Sequence, residues 1–155
     1  MARAFYIATC GADVALVAAT AKSVLGVKAG ASFGLVLRRH GTYFDGVTAG
    51  NEPVLVELCY ATFATNAPGT ASTTVTPIQG GGRVLAHGVT AARAWTTEPT
   101  VLTVIDEALI HPQMGKVEWQ PPGDEYDTAL GEGFVIRVTA PNAVNGRAAM
   151  NFERG

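Results

Sequence analysis

Ser32 lies in Gly30-Ala-Ser32-Phe-Gly34, the G-x-S-x-G spacing of a nucleophile elbow. That motif works by seating the serine on a sharp strand-to-helix turn with its hydroxyl raised above the sheet. Here an alternating, strand-like run follows Ser32 where the helix is needed. The downstream partners, Asp106 and His111, share one strand with nothing else to support them, so serine hydrolysis is not expected. Asp124, Glu125 and Asp127 follow Pro121-Pro122-Gly123 and offer the hard oxygens that Ca2+ prefers. Without EF-hand spacing they read as a solvated acidic turn. His40, His87 and His111 are far apart, none in an H-E-x-x-H or C-x-x-C setting, and predict no zinc site. His40 is expected at a strand edge and His111 in a turn. Gly80-Gly-Gly82 is followed by no Gly-Lys-Ser/Thr and reads as a flexible loop, not a phosphate cradle. The sequence therefore predicts no catalytic residue, no metal and no cofactor, and the chain does not read as an enzyme.

Aromatic residues are the remaining chemistry. Trp95, Trp119, Tyr43, Tyr60 and Tyr126 could line a carbohydrate groove, although scattered aromatics in a β-sandwich more often serve as core and interface anchors. The N-terminal Phe5, Tyr6 and Ile7 form an apolar patch too short to make a core of its own. These three, with Trp95 and Trp119, are the candidate interface residues.

The elements that must hold such residues are strands. From Phe33 to Asp45, Phe33, Leu35 and Leu37 alternate with Val36, Arg38 and His40, the period-2 pattern of a strand with one face on a core. The pattern returns in Val54–Phe63, Val101–Ile110, Phe134–Thr139 and Ala148–Phe152. Val14, Val17, Ala18, Ala21 and Leu25 fit one stripe of a helix capped by Asp13, but Gly26 and the β-branched residues favour two short strands, Val14–Ala18 and Val24–Lys28. Turn signals recur at Asp45-Gly46, Asn66–Ser72, Thr97-Glu-Pro and Pro141-Asn142. The Gly80-Gly-Gly-Arg stretch is the expected hinge or crossing loop. This is the arithmetic of an all-β, single-domain β-sandwich, jelly-roll-like, with about eight to ten short strands and little helix. Residues 1–9 are expected as an N-terminal arm or edge strand, and residues 10–155 as the sandwich.

Composition narrows the partners. Of 155 residues, 48% are hydrophobic and only 15% charged, with a net charge of −2. Average soluble domains carry roughly 25% charged residues, so this surface suits a protein partly covered by copies of itself or by a partner. No basic cluster exceeds Arg38-Arg39, which argues against nucleic-acid binding. The most apolar stretch, Val14–Ala21, is far below the ~20 residues that cross a bilayer, and the N-terminus is too polar for a signal peptide. A soluble product of the cytoplasm, without membrane contact, is expected. Cys10 and Cys59 are expected as buried free thiols.

Several stretches, taken in order, resemble a family of small virion proteins from tailed phages and prophages of actinobacteria. They are Ala18-Ala-Thr-Ala-Lys-Ser-Val-Leu-Gly, Arg39-His-Gly-Thr-Tyr-Phe-Asp-Gly with Pro53-Val-Leu-Val-Glu-Leu, Thr97-Glu-Pro-Thr, His111-Pro-Gln-Met-Gly before Glu118-Trp-Gln-Pro-Pro, and Gly133-Phe-Val-Ile-Arg-Val-Thr-Ala-Pro-Asn-Ala-Val-Asn. Each is a strand-and-turn signature and none a chemical motif. Gly146 departs from the pattern, standing where a bulkier residue is expected between Asn145 and Arg147. The resemblance implies a minor capsid or head decoration protein, made in the host cytoplasm and placed on the capsid surface of the virion. Its implied partners are the phage major capsid protein and its own copies, most simply as a homotrimer. A tail or tail-tip component and a carbohydrate-binding module are the alternatives.

Overall fold

A computed structural model describes residues 4–46, 52–81 and 86–155. Among them are twelve strands and no helix: β1 (Phe5–Thr9), β2 (Val14–Leu16), β3 (Ala21–Lys28), β4 (Leu35–Phe44), β5 (Val54–Ala61), β6 (Thr73–Val75), β7 (Ile78–Gly80), β8 (Thr90–Arg93), β9 (Leu102–Ile110), β10 (Gly115–Trp119), β11 (Gly133–Thr139) and β12 (Val144–Arg154). They form two antiparallel sheets. The front sheet runs β10-β4-β12-β1-β7, with β2 also on β12, and the back sheet runs β6-β8-β3-β11-β5-β9.

The all-β sandwich expected from alternation is thus present, with more strands because two runs are interrupted. Val14–Leu16 and Ala21–Lys28 are strands, as the β-branched residues favoured. Thr76-Pro77 divides the run from Thr73 to Gly80, so β6 pairs in the back sheet and β7 in the front sheet. Proline suits that crossing because it has no N–H to give a ladder. Of the expected Gly80-Gly-Gly-Arg hinge, Gly80 is no loop residue but the end of β7, paired with Phe5, Gly81 turns with φ +112°, and Gly82 and Arg83 lie outside the described residues.

Inward residues of both sheets make one core: Tyr6, Leu35, Leu37, Met150 and Phe152 from the front meet Leu25, Val27, Leu58, Phe134 and Ile136 from the back. Burying each such side chain contributes about 1.5–3 kcal/mol. Phe5–Thr9 is part of this core layer and not an arm or edge strand. β1 is paired with β12 on one side and β7 on the other, and Tyr6 and Ala8 point inward. Burial of those two side chains, with ladder bonds on both edges, outweighs the freedom an arm would keep. Gly146 sits where β12 meets β2, and a methyl group there would stand 3.3 Å from Leu16 Cδ1. The small residue lets Leu16 pack down, and β12 runs on unbroken.

Two β-bulges set which residues face inward. On β4, Asn151 is opposite Arg39 and Phe152 opposite Leu37, so Arg38 is an extra residue. Alternation is reset there: Leu35 and Leu37 are followed inward by His40, Thr42 and Phe44. His40 therefore does not share the face of Val36, nor does it lie at a strand edge, since β4 is flanked by β10 and β12. On β9, Leu58 is opposite Asp106 and Cys59 opposite Val104, which makes Ile105 the extra residue. Bulges of this kind re-aim side chains.

Candidate binding face

The two outer faces of the sandwich are treated differently. The centre of the back sheet's outer face is roofed, and Val104 and Leu109 stay exposed along its β9 edge. Trp95, 1% exposed, lies with Phe63, Cys59, Ala61, Ala92 and Val135 in a second apolar cluster. Its Nε1–H donates to the Asn66 carbonyl at 2.8 Å, and its ring stacks on Phe63 with centroids 6.4 Å apart. Nearby, the Glu98 carboxylate accepts from the Ser23 N–H and hydroxyl, tying the roof to β3.

The front sheet's outer face has no such cover among the described residues. One row across it reads Trp119, Arg39, Asn151, Ile7, Ile78, each paired with the next on the neighbouring strand. Trp119 is 66% exposed and Ile78 62%, with Val117, Tyr43 and Phe5 exposed beside them. Two rings lie flat on cross-strand glycines. Phe5 covers Gly80, and Tyr43 covers Gly115, where an added Cβ would come within 2.6 Å of the Tyr43 ring. With Gly41 and Ala149 in the adjacent row, the face is shallow and largely apolar.

Arg39 anchors its centre. Its guanidinium carbon is 5.3 Å from the Trp119 ring centroid, a cation–π contact, and it donates to the Tyr43 hydroxyl at 3.0 Å. Arg38, thrown out by the bulge, pairs with Glu125 and with Glu153. A groove of about 630 Å3 runs between Phe5, Trp119, Pro121 and Pro122, with Asn151 in its floor. Asn151 is 8% exposed, yet its Oδ1 accepts no hydrogen bond. Buried Arg39 Nε is likewise without a partner. A face with exposed Trp and Tyr around Arg has the composition of an interface hot spot.

The five candidate interface residues thus separate. Phe5, Ile7 and Trp119 share this face. Trp95 is in the roof cluster, and Tyr6 is 3% exposed, stacked on Phe152 with its hydroxyl donating to the Ala86 carbonyl. Neither is available to a partner of the folded chain. Ile78 and Arg39 were missed in the sequence, because nothing local tells that two short strands far apart complete one row. Ser32, Asp106 and His111 are not linked by hydrogen bonds: Asp106 engages Lys116, and His111 Nδ1 accepts the Gln113 N–H. In the acidic turn, Glu125 pairs with Arg38 and accepts from the Gly123 N–H, and Asp127 bridges to Val36 through its backbone. His87 Nδ1 accepts the Val89 N–H, and its ring meets Tyr6 edge-on. Compared with models of known protein families, with curated proteins and with solved structures, the chain matches none.

Proposed function

We propose that this chain is a virion structural protein, a capsid decoration protein that binds the outside of an assembled phage shell and stabilises it. The observation that carries the reading is the asymmetry of the sandwich: an apolar roof covers the centre of one outer face and leaves Val104 and Leu109 exposed at its β9 edge, while Trp119, Ile78, Phe5 and Tyr43 stay open across the other. Large exposed apolar patches mark interaction sites, and a flat, glycine-smoothed sheet suits a shell surface more than a small ligand. The sequence resemblance to small phage head proteins supplies the partner, the major capsid protein. The low charge fits a protein that also meets its own copies, as in a homotrimer. A protein that binds only the assembled state stabilises it by mass action, and no catalytic residue is required.

Carbohydrate binding is the second reading. It falls on Trp119 alone, because Trp95 is buried, and it draws support from the unsatisfied Asn151 Oδ1 in the groove that Trp119 lines. The test is co-sedimentation with assembled shells of tailed-phage major capsid protein, for wild type, Ile78→Glu and Trp119→Glu. Wild type is expected to pellet with shells and both variants to stay in the supernatant while melting normally. Wild type that fails to pellet overturns the reading. A glycan array on which Trp119→Glu alone abolishes signal favours the second.

A further inference from the structure

His40, Asp106 and Glu118 come from three strands and two sheets, and their ligand atoms lie within 4.8 Å of one another. The two bulges bring this about. The β4 bulge turns His40 inward, and the β9 bulge turns Asp106 inward opposite it. On β10, Glu118 and Lys116 lie opposite His40 and Thr42, on the inward side of the strand. The cluster closes the seam where the edges of the two sheets, β10 and β9, face each other.

The electrostatics of the seam are incomplete. Lys116 is ion-paired with Glu118 and stands 3.5 Å from Asp106. Two carboxylates against one ammonium leave one negative charge beside a buried imidazole. His40 is 6% exposed, and its Nδ1 has no hydrogen-bond partner. Its Nε2 is 3.8 Å from Asp106 Oδ2, too far for the hydrogen bond that an Nε2–H would form. Thr42 Oγ1 is also buried and unpaired, and both residues line a cavity of about 10 Å3, close to the size of one water. A water there can accept a hydrogen bond from Nδ1–H, the tautomer that leaves the Nε2 lone pair facing the carboxylates. Three electron-pair donors converge on a position whose positive charge comes from the Lys116 ammonium, which describes a cation site.

We propose that His40, Asp106 and Glu118 bind a first-row divalent transition ion, Zn2+ in the first instance. Lys116 holds the position in the metal-free protein. One imidazole with two carboxylates suits Zn2+, with water in the fourth place, better than Mg2+ or Ca2+, which take oxygen ligands. The Lys116 side chain is about one-third exposed, so its ammonium can swing into solvent and leave the site neutral. The proposal stands apart from the virion reading. It concerns the join between the sheets, where an ion would tie β4, β9 and β10 together.

The test is titration of the full chain with ZnCl2 by isothermal calorimetry, with MgCl2 as control and thermal unfolding followed in parallel. Micromolar, one-to-one Zn2+ binding with a raised melting temperature is expected. Losing a group that only hydrogen-bonds to a metal's ligand costs about 10–100-fold in metal affinity, so losing a ligand in Asp106→Asn or Glu118→Gln should cost at least that much. Lys116→Met should bind Zn2+ more tightly than wild type, because it removes the competing cation. His40→Ala should abolish binding, and the two carboxylate variants keep the test valid if that core change unfolds the chain. Absence of saturable binding overturns the proposal. So does binding that survives both carboxylate changes, or a Lys116→Met variant that binds no more tightly.

Discussion

Trp95 lies flat over Gly26, so closely that a methyl group on that glycine would stand 2.8 Å from Trp95 Cη2 and 3.2 Å from a Val135 methyl. The glycine is not there for its backbone freedom, since it sits within the ladder of β3 opposite Val135 and Ala92. It is there for space, and the roof of the back sheet closes only because that position has no side chain.

Gly26→Ala is therefore expected to destabilise the fold despite alanine's better strand and chain-entropy terms. Overpacking of this kind costs about 1–3 kcal/mol. For a domain of this size each kcal/mol lowers the melting temperature by about 2–4 °C. Thermal and urea unfolding would read both. A variant as stable as wild type would mean that the roof yields freely, and Trp95 would then be no fixed part of the structure.

Of the two cysteines, Cys59 reports on the same roof and Cys10 on the core between the sheets. Burial pushes the Cys59 thiol up to about 11, and Cys10 is raised for the same reason. Cys10 is further enclosed between the Val24 carbonyl and the Ala148 N–H. At pH near 8 a thiol with so high a pKa is about one part in a thousand thiolate, and the thiolate is the reactive form. Ellman's reagent is expected to leave both thiols untouched in the native protein and to titrate both in guanidinium. Rapid labelling of Cys59 with Cys10 protected would place the weak point of the molecule at the Trp95 roof.

What the sequence conveys well is the period. The alternation in Phe33–Asp45 and Phe134–Thr139 gave β4 and β11 their correct type, because a core on one face imposes period 2. A bulge is where that logic stops: one extra residue at Arg38 moves His40 to the opposite face, and no residue type in Leu37-Arg-Arg-His40 announces it. The face of Trp95 was equally hidden. Tryptophan suits a groove or a core, and the deciding partner, Gly26, lies sixty-nine positions earlier. For the seam, Asp106 and Glu118 follow His40 on separate strands without any short motif, so only the pairing of sheets reveals them. The open face was partly legible through Phe5, Ile7 and Trp119, which are apolar where a solvated strand would carry charge.

Arg137 and Glu57, opposite each other on β11 and β5, form a two-pronged ion pair on the back sheet, with Nε–Oε2 at 2.7 Å and Nη2–Oε1 at 2.9 Å. Glu57 is only 8% exposed, so most of its hydration is lost on folding and the guanidinium replaces it. Hydrogen bonding to Glu57 correspondingly holds the Arg137 pKa above its ordinary value. Removing the arginine leaves a carboxylate with little water and no cation, whereas removing both charges leaves a neutral, half-covered surface. Breaking a fully buried pair costs about 3–5 kcal/mol, and the partial exposure here reduces that to about 2 kcal/mol for Arg137→Met. The double variant Glu57→Gln/Arg137→Met should be more stable than Arg137→Met alone, which a double-mutant cycle by urea unfolding measures directly. A double variant no more stable than the single one would show that Arg137 acts through its aliphatic packing and that the charge pair contributes nothing to the fold.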